Sequence, residues 1–174
     1  MNPVRMIVLG AGARGMDAYA PYALLAPDQL QIVAVAEPRD ARRTAFVARY
    51  GVPEQAVFAD WRDALAAGIE ADAVLVATQD NQHVEPACIA MERGYDVLLE
   101  KPIAKHEDEL KRIYDTSVRT GKRAAVCHVL RYTRFFNTLK AIIDSGEIGE
   151  LVNISHSENI GYWHMAHSFV RGNW

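Results

Sequence analysis

The sequence has few cysteines, no long apolar run and no excess of positive charge, and each shortage excludes a class of protein. Its two cysteines, Cys88 and Cys127, lack a C-x-x-C spacing, so neither a disulfide framework nor a cysteine zinc site is expected. No stretch approaches the roughly 20 apolar residues that a membrane span requires, and no long apolar export signal follows the first residues. We therefore expect a cytoplasmic protein that does not enter a membrane.

The charges are nearly balanced, with 19 Lys and Arg against 22 Asp and Glu, for a net charge of −3. Because these charges are spread along the chain, no basic stripe is available for a phosphate backbone, and nucleic acid is not an expected partner. Half of the 174 residues are hydrophobic, as in ordinary globular proteins. A length of 174 residues fits one domain of typical size, with some residues left over.

Short apolar runs alternate along the chain with helical patterns. The runs are rich in Val, Ile and Leu, which is typical of strands buried on both faces of a parallel sheet. The predicted strands are 4–9, 31–36, 73–77, 95–99 and 124–129, and the predicted helices are 14–26, 40–50, 61–67, 81–93, 107–120 and 135–145. This alternation predicts an α/β fold with a doubly wound parallel sheet, the Rossmann fold.

The pattern changes after residue 130. We predict a nucleotide-binding domain over residues 1–130 and the start of a second α/β domain over 131–174. Residues 151–157 alternate with period two, which predicts an amphipathic antiparallel strand. No partner strand follows in the sequence, so we expect the second domain to be incomplete. The alternative is an edge strand and an ordinary carboxyl-terminal tail.

A glycine motif stands at the end of the first predicted strand and opens the first predicted helix. Gly10, Gly12 and Gly15 form G-x-G-x-x-G. In this motif the first glycine permits a tight turn, the second lets the backbone approach a pyrophosphate, and the third lets the helix pack against the strand. We predict that these glycines bind a dinucleotide together with Ala13 and Arg14.

Glu37 follows the second predicted strand, 22 residues after Gly15. Its carboxylate can accept both hydroxyls of an adenosine ribose there, and it would repel a 2′-phosphate, so NAD is favoured over NADP. NADP stays possible because Arg39, Arg42 and Arg43 follow closely and could turn toward a 2′-phosphate.

Two polar clusters follow later strands, at the edge where open α/β sheets bind ligands. The first holds Thr78, Asn81 and His83, residues that also suit helix caps and first-turn contacts. The second is Glu100-Lys101-Pro102. A lysine at the end of a strand is well placed for proton transfer, and a plain surface ion pair is the alternative.

Together, the stretches 10–15, 77–83 and 100–102 are similar to motifs of the Gfo/Idh/MocA family of nicotinamide-dependent oxidoreductases. The resemblance implies that Lys101 lies near the nicotinamide and assists catalysis, and that Glu100 touches the nicotinamide ribose. It also implies that the segment from Thr78 to His83 lines the nicotinamide side and that a cis peptide often precedes Pro102. Two positions in that segment, Gln79 and Asp80, depart from the family's usual residues.

The resemblance further implies hydride transfer to or from a carbinol carbon of a sugar, cyclitol or related polyol, and homo-oligomers formed through the second domain. The family takes a second proton-handling residue from a D-x-x-x-H motif that this sequence lacks, so we expect cofactor binding with an incomplete active site. The alternatives are a non-catalytic nucleotide-binding module and an S-adenosylmethionine methyltransferase. The strict glycine motif and Glu100-Lys101-Pro102 disfavour the methyltransferase.

His164 and His167 are spaced as two metal ligands on one helix can be. No carboxylate or cysteine stands at a suitable distance, so no metal site is expected. We expect these histidines to belong, with Tyr162 and Trp163, to a substrate-side or interdomain surface.

Overall fold

The amino-terminal part of the chain is built on a sheet of six parallel strands. The structure is a computed structural model that describes residues 2–166 and 170. The strands are β1 (Val4–Leu9), β2 (Leu30–Ala36), β3 (Val57–Phe58), β4 (Ala73–Val76), β5 (Asp96–Leu99) and β6 (Ala124–Val126). Their order across the sheet is β3-β2-β1-β4-β5-β6, which is the doubly wound arrangement that the sequence predicts.

Helices connect the strands. They are α1 (Pro21–Leu25), α2 (Asp40–Tyr50), α3 (Trp61–Ala66), α4 (Val84–Glu92) and α5 (Glu107–Thr120). A π-helix, Ala13–Tyr19, precedes α1, and single 3₁₀ turns form at Glu54–Ala56 and Asp80–Gln82. Gly51 and Gly121 end α2 and α5 in the left-handed conformation, as the glycine pattern predicts.

The core lies around the two central strands. Ile7, Val8 and Leu9 of β1 are fully buried, and so are Val74 and Leu75 of β4. Strands this apolar are stable only when helices cover both faces of the sheet, which explains why their Val, Ile and Leu runs are continuous.

Four local details differ from the sequence prediction. The strand predicted over 124–129 ends at Val126, and residues 129–132 form a 3₁₀ turn. Residues 14–26 form a π-helix and then α1 instead of one helix, and Pro21, which has no N–H to donate, starts the new helix. Residues 80–82 form a 3₁₀ turn before α4. The short strand β3 was missed because its two residues carry no periodic signal.

The chain divides into two compact units, Met1–Cys127 and His128–Trp174. In the second unit the structure describes a 3₁₀ turn (Val129–Tyr132), α6 (Arg134–Ser145) and a short α7 (Tyr162–Met165). The predicted strand over 151–157 is wrong, because these residues form no ladder with any described part of the chain. None of the described helices has the length and apolar character that a membrane crossing needs.

Phe46, on α2, is the largest fully buried side chain among the described residues. Its ring centroid lies 4.6 Å from the ring centroid of Tyr50. We expect Phe46→Ala to lower the free energy of unfolding by about 3–5 kcal/mol, because it leaves a large cavity. Urea titration monitored by circular dichroism measures the change. The matched control is Val118→Ala on the exposed side of α5, which should change the free energy by about 0.5 kcal/mol or less. Equal effects of the two variants would contradict this description of the core.

Candidate active site

The carboxyl ends of four strands stop at the same level of the sheet. Leu9, the last residue of β1, pairs with Ala36 on one side and with Val76 on the other. Val76 in turn pairs with Leu99. The residues that directly follow these strands therefore lie side by side, and they are Gly10, Glu37, Ala77 and Glu100.

A Cβ atom added to each of the three motif glycines would meet different surroundings. A Cβ atom on Gly10, whose φ is +95°, would lie 2.5 Å from the carbonyl oxygen of Ala77. A Cβ on Gly15 would lie 1.9 Å from the carbonyl oxygen of Gly10. A Cβ on Gly12 would meet no atom closer than Nη1 of Arg42, at 3.6 Å. Gly10 and Gly15 thus let the loop pack, whereas Gly12 leaves open space beside the backbone, as a pyrophosphate requires.

Glu37 fixes the glycine loop from the end of β2. Its buried carboxylate accepts a hydrogen bond from the backbone N–H of Ala11 at 2.8 Å and another from that of Arg39 at 3.0 Å. Each carboxylate oxygen has a further acceptor site, and the contact of Glu37 with ribose hydroxyls stays a prediction. The predicted ribose-binding residue is therefore also a structural link between β1 and β2.

The three arginines after Glu37 differ in what they contact. Arg43 donates to the backbone carbonyl of Glu37 at 2.7 Å and to the carboxylate of Asp40 at 2.7 Å. These bonds hold the guanidinium of Arg43 against the start of α2 and the residues just before it. Arg39 and Arg42 are exposed, and the guanidinium of Arg42 lies beside the open face of Gly12. Of these three arginines, Arg42 is thus the one that lies beside Gly12.

Glu100 is a buried carboxylate with three donors. The phenol of Tyr19 donates to Oε1 at 2.6 Å, and the backbone N–H of Lys101 donates to Oε2 at 2.7 Å. The guanidinium Nε of Arg14 lies 3.4 Å from Oε1. Burial of a carboxylate is costly unless donors compensate it, so this cluster holds Glu100 in one orientation. A direct contact between Glu100 and a ribose stays a prediction.

Two groups near Glu100 hold their protons tightly. Burial, and then hydrogen bonding to Cys127 and Glu100, raises the pKa of Tyr19 far above its ordinary value. Burial also raises the pKa of the Cys127 thiol. Tyr19 therefore stays a donor at neutral pH, and Cys127 stays a thiol.

Lys101 itself is exposed at the sheet edge, and its side chain forms no hydrogen bond or ion pair with the described residues. The Lys101–Pro102 peptide bond is cis, as the family resemblance implies. The ammonium group is thus available to a ligand at this edge.

The loop after β4 brings the remaining predicted residues to the same edge, in different roles. The hydroxyl of Thr78 donates to the carbonyl of Gln82 at 2.8 Å, and Asn81 is exposed. His83 is buried, with Nδ1 2.7 Å from the carbonyl oxygen of Pro102 and Nε2 3.2 Å from that of Thr78. The ring of His83 therefore joins the loops after β4 and β5, and its contact with the cofactor stays a prediction.

Over the described residues, no group of three His, Cys, Asp or Glu side chains could hold a metal ion. His164 lies on α7, and His167 lies outside the described residues.

The structure brings the glycine loop, Glu37, Thr78, Asn81 and Lys101 to one edge of the sheet. The arrangement fits a dinucleotide, because it combines an open backbone at Gly12, a carboxylate with free acceptor capacity and an exposed ammonium group. Tyr19 was not foreseen from the sequence. No sequence signal pointed to it, because its contact with Glu100 depends on the π-helix.

Comparison with known proteins agrees with this geometry. Residues 4–128 match the sequence profile of the Gfo/Idh/MocA oxidoreductase family, NAD-binding Rossmann fold. The chain is 32% identical over 147 residues to inositol 2-dehydrogenase of Klebsiella pneumoniae, covering 84% of this chain and 43% of that protein. It is 28% identical over 150 residues to D-glucoside 3-dehydrogenase of Escherichia coli, covering 86% and 42%. The chain thus spans less than half the length of these relatives.

Among solved structures, the WlbA dehydrogenase from Bordetella pertussis, crystallised with NADH and UDP-GlcNAcA, has the same fold. Its TM-score is 0.78 and its identity 24%, and the match covers 85% of this chain and 44% of that one.

The different surroundings of the glycines predict different effects of adding one methyl group. Gly12→Ala should fold normally, because its φ of −76° suits alanine and its Cβ meets only ordinary contacts. It should weaken NADH binding at least about tenfold, because the methyl group occupies the space that the pyrophosphate needs. Calorimetric titration with NADH and thermal melting measure the two properties.

Gly15→Ala is the matched comparison. Its Cβ would collide with the carbonyl oxygen of Gly10, so it should lower the free energy of unfolding by about 1–3 kcal/mol or more. If Gly12→Ala bound NADH as tightly as the original chain, the assignment of the open face to the pyrophosphate would be wrong.

Proposed function

This chain belongs to the Gfo/Idh/MocA family of oxidoreductases, and we propose that the protein transfers hydride between a nicotinamide cofactor and a carbinol carbon of a sugar, cyclitol or related polyol. One observation carries the proposal: four strands end at the same level of the sheet, and the glycine loop, Glu37 and Lys101 therefore lie along one edge. NAD supplies the hydride acceptor when bound, and NADH the donor. The residues of this chain bind and orient the cofactor, and they transfer the proton of the reaction.

For the cofactor, Gly12 leaves room for the pyrophosphate and Glu37 accepts the adenosine ribose hydroxyls. NAD is preferred over NADP in this proposal, because the carboxylate of Glu37 repels a 2′-phosphate and Arg43 is held by Glu37 and Asp40. Thr78, Asn81 and the edge beside them form the nicotinamide side of the site.

For the chemistry, Nζ of Lys101 is the group that polarises the reacting oxygen as an ammonium ion, or takes the proton of the reacting hydroxyl as a neutral amine. Its exposure at the carboxyl edge and its lack of a described partner support this role. The buried Glu100 beside it holds the backbone from which Lys101 projects.

For the substrate, the names of the relatives support the polyol class. One relative is an inositol 2-dehydrogenase and another a D-glucoside 3-dehydrogenase. Both names denote dehydrogenases of a polyol or a sugar derivative, compounds that contain carbinol carbons.

We further propose that residues from 128 onward begin the second domain, which contributes substrate contacts and forms homo-oligomers. The exposed apolar side chains of Val152 and Ile154 support an interaction surface there. A cytoplasmic location is also proposed, and the two buried free thiols support it. A non-catalytic nucleotide-binding module would use the same cofactor site, and the Lys101 experiment below separates it from an enzyme.

The charge of Glu37 is tested by Glu37→Gln, which keeps the length of the side chain. We expect the preference for NADH over NADPH to narrow by at least about fivefold, because the charge that repels the 2′-phosphate is gone. Paired calorimetric titrations with the two cofactors measure the ratio. Glu54→Gln makes the same charge change on an exposed carboxylate in the 3₁₀ turn before β3 and should leave the ratio unchanged. An equal effect of both variants would show that Glu37 does not select the cofactor.

The role of Lys101 is tested by Lys101→Met in a protein that includes the second domain. Assayed with NAD⁺ and a panel of polyols and sugars, it should lose at least about tenfold in kcat while NADH affinity changes little. Lys105→Met, at an exposed lysine four positions along, serves as the control and should keep normal turnover. Unchanged kcat in Lys101→Met would remove the catalytic role, and no turnover by the original protein would favour the binding module.

A further inference from the structure

The carboxylate of Glu100 is held by donors from two separate parts of the chain. Tyr19 and Arg14 approach Oε1 from the helix that follows the glycine loop, and the backbone N–H of Lys101 approaches Oε2 from the end of β5. Glu100 is 4% exposed. A carboxylate so deeply buried depends on all of its donors, and its two oxygens cannot reorient independently.

The π-helix explains how two residues of one helix reach the same oxygen. Arg14 and Tyr19 are five positions apart, and side chains at that spacing point about 140° apart around an α-helix. In a π-helix the repeat is wider, and bonds join residues five apart. The bond from the N–H of Ala20 to the carbonyl of Gly15 has this spacing. The helix that opens at Gly12 thus presents both side chains toward β5.

We propose that Tyr19 is a positioning residue, which orients the Glu100 carboxylate so that the carboxylate fixes the backbone of Lys101. Through Tyr19 and Arg14, the helix that begins at the cofactor loop is connected to the lysine at the neighbouring strand end. The proposal rests on the proposed catalytic role of Lys101 for its functional meaning. The hydrogen-bonded chain itself does not depend on that role.

The phenol of Tyr19 is suited to donate a hydrogen bond to Glu100 at all times. The phenol of Tyr19 keeps its proton at neutral pH, and its oxygen lies 2.6 Å from Oε1. Arg14 is half-exposed and 3.4 Å away, so it makes the weaker contact. Removal of the phenol oxygen therefore removes the main constraint on Oε1.

The test measures the amide of Lys101 in the ¹⁵N-labelled 174-residue chain without any ligand. In Tyr19→Phe, which keeps the ring, we expect this amide to exchange with solvent at least about fivefold faster, because its acceptor is no longer fixed. Its ¹H resonance should also move upfield, since the bond to the carboxylate lengthens. The amides of Val97 and Leu99 within β5 should keep their exchange rates and resonances.

Tyr22→Phe is the matched control. Tyr22 donates its phenol proton to Gln29 at the surface, three residues beyond Tyr19 in sequence, and its loss should leave the Lys101 amide unchanged. Glu100→Gln is a second variant, in which one acceptor oxygen becomes an NH₂ group. Because Gln keeps one oxygen that can accept from the Lys101 N–H, this variant reports on the acceptor and not on Tyr19. Tyr19→Met, whose flexible side chain fills irregular space without a donor, should disturb the Lys101 amide in the same direction even if Tyr19→Phe fails to fold.

A folded Tyr19→Phe chain with an unchanged Lys101 amide would overturn the proposal. So would equal acceleration of Lys101 and the β5 amides, because Tyr19 would then support the fold generally. If Tyr19→Phe does not fold, an unchanged Lys101 amide in Tyr19→Met overturns it. The measurement uses no cofactor or substrate, so its failure is distinct from normal turnover in Lys101→Met, which would overturn the proposed function of the lysine.

Discussion

The register of the parallel strands is the constraint on which the rest of the site depends. Because Leu9 pairs with both Ala36 and Val76, and Val76 pairs with Leu99, four strands end at one level. A shift of one strand by a residue would move its terminal polar group out of the row and turn its buried side chains to the other face. The apolar core that sets the register is therefore also what assembles the candidate site.

Two buried carboxylates connect the fold to the proposed chemistry. Glu37 ties the glycine loop to β2, and Glu100 ties the π-helix to the end of β5. Each is held by hydrogen bonds from neighbouring chain segments, which offset the cost of burying its charge. In the proposed site, both carboxylates are thus oriented by hydrogen bonds of the fold itself before any ligand binds, which lowers the cost of ordering the site on binding.

The sequence was sufficient for the sheet and for most residues at its edge. Apolar runs at β1, β2 and β4 predicted buried parallel strands, and the glycine motif with Glu37 predicted the cofactor loop. The period-two pattern of residues 151–157 misled, because alternation alone does not supply a partner strand. The π-helix also escaped prediction, since its geometry depends on tertiary contacts. Tyr19 was missed for that reason, and the inward orientation of His83 could not be read from its spacing.

The central claim is that the carboxyl edge of β1, β2, β4 and β5 is the dinucleotide site. Titration of the ¹⁵N-labelled chain with NADH, followed in ¹H–¹⁵N spectra, tests it most directly. The account predicts that the amides of Gly12, Glu37, Thr78 and Lys101 shift on binding, while those of Gly94 and Gly121, in turns that lead into the amino ends of strands, stay unchanged. Shifts confined to other parts of the chain, or no shifts at saturating NADH, would contradict it.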